Sequence, residues 1–304
     1  MSVLRLKVDR YLPNTGNLPY SLLNAGLRET IIRRLDRVTP STRPLLFAIS
    51  PGRSGSEFLA ALIDATANAS AVHEPRPKMN GAFLRGLSEA RLKSTYDRRR
   101  VKIVQLLRAL GSLAPGCMYA ETSHMFVKTF YDVVLDFFAD VRVVHLRRDT
   151  VHVIRSFAEL GYFSNASTHW RHWMHDPHAS EPLVAPAVEE GEADSFDRII
   201  AYLIDIEARA ARLRERYPAT PVVAARLEEI SEPAGARRLV DQLGLQWTDA
   251  AAAVCARRKN RRAGKKRIVG QPVDVAYCRE RLDHYLELAR RRSLPLPNGF
   301  QGWL

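Results

Sequence analysis

Cysteine is scarce in these 304 residues: Cys117, Cys255 and Cys278 stand far apart and are odd in number. That pattern excludes a disulfide scaffold and a CxxC zinc or redox motif. Acidic residues are also in deficit, 33 against 46 Lys and Arg, for a formal charge of +13. Such a surplus implies an anionic partner or an anionic substrate without choosing between them. No apolar run approaches the roughly 20 residues of a membrane-spanning helix. The opening MSVLRLKVDRYLPN is interrupted by charge every few residues and lacks the apolar core of a secretory signal. What is abundant is ordinary: 46% hydrophobic residues exclude a disordered chain, and the length fits one large domain. A soluble, cytoplasmic globular protein is expected.

The chain divides into a basic N-terminal extension (1–44), an α/β core (45–250) and a basic C-terminal segment (251–304), read together as a single domain. In the extension, Leu22, Leu23, Leu27, Ile31, Ile32, Leu35 and Val38 recur at helical spacing, predicting an amphipathic helix near 21–38 that Pro40 ends. Its apolar stripe suits packing on the core, and its cationic face also allows peripheral contact with the inner face of an anionic membrane. In the core, Leu45–Ile49, Ala71–His73, Met118–Ala120, Val141–Leu146 and Val222–Ala225 read as short buried strands. Helical stretches separate them: 57–68, 82–111, 125–138, one from Thr150, and 233–243 ending at Gly244. The alternation predicts a parallel sheet flanked by helices. Ligands of such sheets sit beyond the carboxyl ends of the strands. Three prolines and a run of acids over 176–197 predict a surface loop or lid.

Two strand ends carry chemistry. The first runs into Ser50-Pro51-Gly52-Arg53-Ser54-Gly55-Ser56 and then directly into a helix. Glycines let successive amides curl around one concavity, and the helix N-terminus adds partial positive charge, which together favour an oxyanion. There is no GxxxxGK followed by Ser or Thr, so a Walker-type triphosphate site is disfavoured. The second end is His145-Leu146-Arg147-Arg148-Asp149-Thr150, with Ser156 eight residues after Arg148. A guanidinium and a hydroxyl two helical turns apart suit a second phosphate. Two oxyanion sites on one sheet edge imply a ligand with phosphates at both ends.

SPGRSGS after the first strand resembles the 5′-phosphosulfate loop of sulfotransferases that use 3′-phosphoadenosine-5′-phosphosulfate. LRRDTVHVIRS resembles their 3′-phosphate motif. The likeness runs from about Leu45 to Gly244, since VVAARLEE followed by a helix and LGL is similar to the family's late strand and helix. Thr150 departs from the usual Pro, and Glu57 from the usual Thr or small residue. The resemblance implies a P-loop-like sulfotransferase fold with no metal, and adenosine 3′,5′-bisphosphate as the product. It implies that Gly52, Arg53, Ser54, Gly55 and Ser56 hold the 5′ end, with Arg53 also at the bridging oxygen. Arg148 and Ser156 would hold the 3′-phosphate. From the basic run Arg257–Arg267 (RRKNRRAGKKR), Lys265 and Arg267 are the residues picked to close over the nucleotide.

The acceptor, a hydroxyl compound that is glycolipid, carbohydrate or phenolic and suits a lipid-linked or anionic form, needs a general base. Glu74 follows the second strand, where carbohydrate and tyrosyl sulfotransferases place a glutamate. His124 follows the third, where cytosolic sulfotransferases place a histidine. Both stay open. His169, His172, His175 and His178 recur every three residues, which fans them around a helix rather than converging them on a metal. Trp170 and Trp173 read as core anchors or as the wall of an acceptor groove. A phosphotransferase and a polyanion or nucleic-acid binder remain the competing readings, and the basic run lacks the interleaved aromatics of single-strand binding.

Overall fold

A computed structural model describes residues 33, 35–36, 42–84, 87–165, 169–257, 273–297 and 300. Five strands, β1 (Leu45–Ile49), β2 (Ala69–Val72), β3 (Met118–Glu121), β4 (Val141–Arg147) and β5 (Val222–Arg226), form one sheet in the order β2-β3-β1-β4-β5. Every pairing is parallel. The expected α/β architecture is therefore present, and all five carboxyl ends open on one edge.

Alternation along each strand builds two cores. In β1, Leu45, Phe47 and Ile49 face one side, while Leu46 and Ala48 face the other, all fully buried. Burial on both faces is why this strand reads as an unbroken apolar run. On the second face α1 (Ser56–Asp64) inserts Phe58, Leu59, Leu62 and Ile63. The first face carries α2 (Val101–Ser112), a π-helical turn at Phe126–Phe130, and α3 (Thr150–Glu159). There Phe126 stacks on Phe47 with centroids 4.6 Å apart. Each fully buried side chain of this size contributes about 1.5–3 kcal/mol, so the central strand anchors the fold.

Two long helices complete the first face, and sequence reading did not single out either. α4 (Ser195–Arg216) starts inside the stretch expected to be loop. Asp194 and Asp197 are its capping box, each carboxylate accepting from the other's backbone amide. The remaining loop is tied down rather than free to open. Asp205 accepts from Leu183 N at 2.6 Å, Ala187 N donates to the Tyr285 hydroxyl at 2.8 Å, and Val184 and Ala187 are buried. α7 (Val275–Arg291) follows α5 (Pro233–Gln242) and α6 (Asp249–Ala256) on the chain. It buries Cys278, Leu282, Tyr285, Leu286 and Ala289, so part of the basic C-terminal segment belongs to the core.

Gly244 ends α5 as expected, with φ at 68°, and Leu245 N bonds back to Val240 O at 2.9 Å. The amphipathic helix near 21–38 lies outside the described residues, apart from Arg33, Leu35 and Asp36. Leu35 is buried in the main core, and Asp36 pairs with Arg100 at 2.7 Å. Lys265 and Arg267 also lie outside the described residues. Among the described residues no helix is long and apolar enough to cross a membrane.

Candidate active site

The loop after β1 folds around left-handed backbone. Gly52, Arg53 and Gly55 have φ of 88°, 61° and 92°. At Gly55 a Cβ would fall 2.5 Å from Leu227 Cδ1, so conformation and space both demand glycine there. Gly55 is also the N-cap of α1 and offers no side-chain acceptor to the first-turn amides. Beside them Ser54 Oγ is fully buried with no hydrogen-bond partner. An orphaned hydroxyl and an uncapped helix N-terminus in one loop fit a phosphate or sulfate oxygen.

The loop after β4 closes onto the first. Arg148 Nη1 donates to the Arg53 carbonyl at 3.0 Å, and Arg53 Nε donates to Ser156 Oγ at 3.0 Å. Arg53, Arg148 and Ser156, chosen from separate motifs, thus form one assembly. Ser156 makes its bond to Arg53 rather than to Arg148. At the N-terminus of α3 the Asp149 cap accepts from His152 N at 3.0 Å, and Arg148 and Ser156 supply the side-chain donors of this second corner.

The ends of β2 and β3 supply the two candidate bases, and the fold brings them together. His124 Nε2 lies 3.2 Å from Glu74 Oε1. Glu74 sits at a φ of 47° directly after His73, whose Nδ1 donates to the Thr122 carbonyl at 2.8 Å. That bond ties the two strand-end loops in register. Lys78 Nζ stands 4.0 Å from Glu74 Oε2. His124 abuts the phosphate loop, since a Cβ on Gly52 would meet its Cγ at 3.8 Å. Burial holds the His124 imidazole well below its ordinary pKa, helped by the positive charges of Lys128, His73 and Lys78. It is therefore a neutral ring at physiological pH.

Behind His124 lies Lys128, fully buried, with Nζ 2.7 Å from Nδ1 of the ring. Sequence reading passed over it. Its one signal is position, four residues after His124 on the same turn of chain. Below the site, Lys102 and Glu121 form a buried ion pair at 2.7 Å, and Lys102 also reaches the Pro77 carbonyl at 3.4 Å, fixing the Glu74 loop to the sheet.

The two tryptophans separate. Trp170 is buried against Phe163 at 4.6 Å and is a core anchor. Trp173 is half-buried with its ring 6.2 Å from His124 and 4.7 Å beneath Lys78 Nζ. The Tyr162 phenol, raised in pKa by burial, feels the charges of both Arg53 and Glu74. Trp173, Lys78 and Tyr162 therefore border the Glu74 side of the site. Two of the histidine series are tied to neighbours: His175 pairs with Asp205 at 2.7 Å and His178 Nε2 meets the Val188 carbonyl at 2.9 Å. Among the described residues no group of three or more His, Cys, Asp or Glu is placed to hold a metal ion.

No protein-family model and no curated protein matches this chain. Several solved structures are similar to it. One is the sulfotransferase domain from the Synechococcus PCC 7002 olefin synthase, at 16% identity and a TM-score of 0.44, covering 86% of this chain and 99% of that one. Another is the sulfotransferase domain from the curacin biosynthetic pathway, at 14% identity and a TM-score of 0.46, covering 85% of this chain and 100% of that one. The sulfotransferase STF1 from Mycobacterium tuberculosis H37Rv stands at 14% identity and a TM-score of 0.46, covering 92% of this chain and 90% of that one. These solved structures are sulfotransferases, and at such identities and TM-scores what this chain does has to be reasoned from its own residues.

Proposed function

We propose that this chain is a sulfotransferase that moves the sulfuryl group of 3′-phosphoadenosine-5′-phosphosulfate onto an acceptor hydroxyl. The observation that carries the reading is the double engagement of Arg53. Its carbonyl accepts from Arg148 and its guanidinium donates to Ser156, which joins the two oxyanion corners beside the Glu74–His124 pair. When bound, the nucleotide supplies an activated sulfuryl group and a leaving group with phosphates at both ends. Gly52, Ser54, Gly55 and Ser56 hold the 5′ end, and Arg148 with Ser156 holds the 3′-phosphate. Arg53 offsets negative charge at the bridging oxygen. Preorganised donors of this kind supply the largest share of catalysis in such transfers.

Glu74 takes the proton of the acceptor hydroxyl, with Nε2 of His124 3.2 Å from its carboxylate. Trp173, Tyr162 and Lys78 give the acceptor side aromatic faces and a cation, which favours a ring-bearing or anionic hydroxyl compound.

Thermal denaturation tests the reading. Adenosine 3′,5′-bisphosphate at a hundredfold over its Kd should stabilise the fold by about 2.7 kcal/mol. ATP with magnesium should not, and Arg148→Ala should abolish the shift. No response to the bisphosphate, with salt-sensitive nucleic-acid binding in its place, would overturn it.

A further inference from the structure

A buried lysine needs three acceptors, and Lys128 has them. Its Nζ lies 2.9 Å from the Trp173 carbonyl, 3.1 Å from the Tyr202 hydroxyl oxygen and 2.7 Å from His124 Nδ1. The roles are forced one by one. A carbonyl only accepts. Tyr202 has given its own proton to the Pro51 carbonyl at 2.7 Å, so toward Lys128 its oxygen accepts as well. The third N–H of an ammonium is left for Nδ1. A neutral His124 that accepts at Nδ1 carries its proton on Nε2, the atom facing Glu74 Oε1 at 3.2 Å.

The other consistent arrangement inverts both ends. A neutral amine would place its two N–H groups on Trp173 and Tyr202 and accept from Nδ1–H through its lone pair. Nε2 would then present a lone pair to Glu74, and two lone pairs at that distance require Glu74 to be protonated. The proton count is the same, but the carboxylate is lost. The charge of Lys128 and the ionisation of Glu74 are thus linked through the ring between them.

We propose that Lys128 is a positioning residue: as an ammonium it donates to Nδ1 of His124, fixes the Nε2–H tautomer and so holds Glu74 as the ionised base. This rests on the reading of Glu74 as the proton acceptor. Burial and charged groups from several surrounding elements act on Lys128. Burial pushes its pKa well below the ordinary lysine value and Arg209 adds to that, while Glu74 and Asp205 favour the charged form. Across the ring from Lys128, His73 Nε2 and Lys78 Nζ lie 3.8 Å and 4.0 Å from the Glu74 carboxylate. Losing a proton from the ammonium to solvent leaves an amine that can accept from Nδ1–H as well as donate to Nδ1, so the ring tautomer is no longer fixed. Activity should therefore fall on the alkaline side earlier than an ordinary lysine would allow.

Nitrogen-15 NMR of the histidine side chains in the full chain tests this, with the His124 signals assigned by their disappearance in His124→Gln. In the native protein at neutral pH, His124 should be the Nε2–H tautomer, and the tautomer should become mixed as pH rises. In Lys128→Met the tautomer should become mixed and lose that pH dependence. With it kcat should fall about tenfold or more while bisphosphate affinity is kept. A native His124 already protonated on Nδ1 at neutral pH would overturn the proposal, and that result needs no variant to fold. So would an unchanged tautomer in a folded Lys128→Met. The two readings fail separately: bisphosphate binding with the wrong tautomer removes only the role of Lys128. The expected tautomer without bisphosphate binding removes only the assignment of substrate.

Discussion

Oε1 of Glu74 and Nε2 of His124 lie 3.2 Å apart although they leave the ends of different strands, separated by 50 positions in the chain. Rivals for one role in the sequence, they are partners in the fold. A neutral imidazole N–H facing the carboxylate orients it without neutralising it, which leaves Glu74 free to take a proton on its other oxygen. Glu74→Gln should therefore lower sulfuryl transfer by about 10²–10⁴-fold while leaving bisphosphate binding intact. His124→Gln should cost less, and steady-state kinetics on the two variants will rank them.

Acid should destabilise the protein through its buried histidines. Burial lowers the pKa of His124, His145 and His175 below the ordinary value of 6.5. Below about pH 6.5 the unfolded chain takes up protons at these sites and the folded chain does not, so stability falls as pH falls. The slope is about 1.4 kcal/mol per pH unit for each such histidine. Urea titrations between pH 7 and 5 should show His124→Gln losing one proton's share of that slope.

Gly55→Ala should destabilise the fold by about 1–3 kcal/mol, since it forces a side chain into left-handed backbone and against Leu227. Adding Leu227→Ala should recover the part due to the clash and leave the part due to φ. A double-mutant cycle in denaturant separates the two.

Lys102 and Glu121 form a buried pair whose members are 0% and 1% exposed. Removing one partner strands the other charge, so Lys102→Met should cost about 3–5 kcal/mol, and Lys102→Met with Glu121→Leu far less. Because Lys102 also holds the Pro77 carbonyl, the double variant should still lose transfer activity through a loosened Glu74 loop. Thermal melts and acceptor kinetics on the same samples check both parts.

Trp173→Ala should raise the KM for acceptor and leave bisphosphate affinity unchanged, because the ring borders His124 and Lys78 rather than the phosphate loop. Trp170→Ala should instead destabilise the fold by about 3–5 kcal/mol, as a buried aromatic does.

The strands and the phosphate loop were legible because their signals are local. Leu45–Ile49 announces itself as a run of five apolar residues, and the glycines of SPGRSGS mark positive φ. Arg148 and Ser156 were findable from a spacing that runs from a strand end into the helix after it. α4 was obscured by the acids that start it, Asp194 and Asp197, which read as loop chemistry until their reciprocal cap is seen. Lys128 was hidden, since its one signal, a place four residues after His124, gains meaning only once that stretch is seen to coil as one turn.

By itself, then, the sequence determined the order of the strands and the residues offered at each strand end, because backbone preference and hydrophobic period act over a few neighbours. Only the tertiary structure decided which of those residues meet. The parallel sheet, ordered β2-β3-β1-β4-β5, sets β1 between β3 and β4 and brings β2 alongside β3. That arrangement places Arg53 against Ser156, Glu74 against His124, and Lys128 behind the ring. These contacts join residues from four to 103 positions apart, and the longer ones depend on long-range packing that no local pattern encodes.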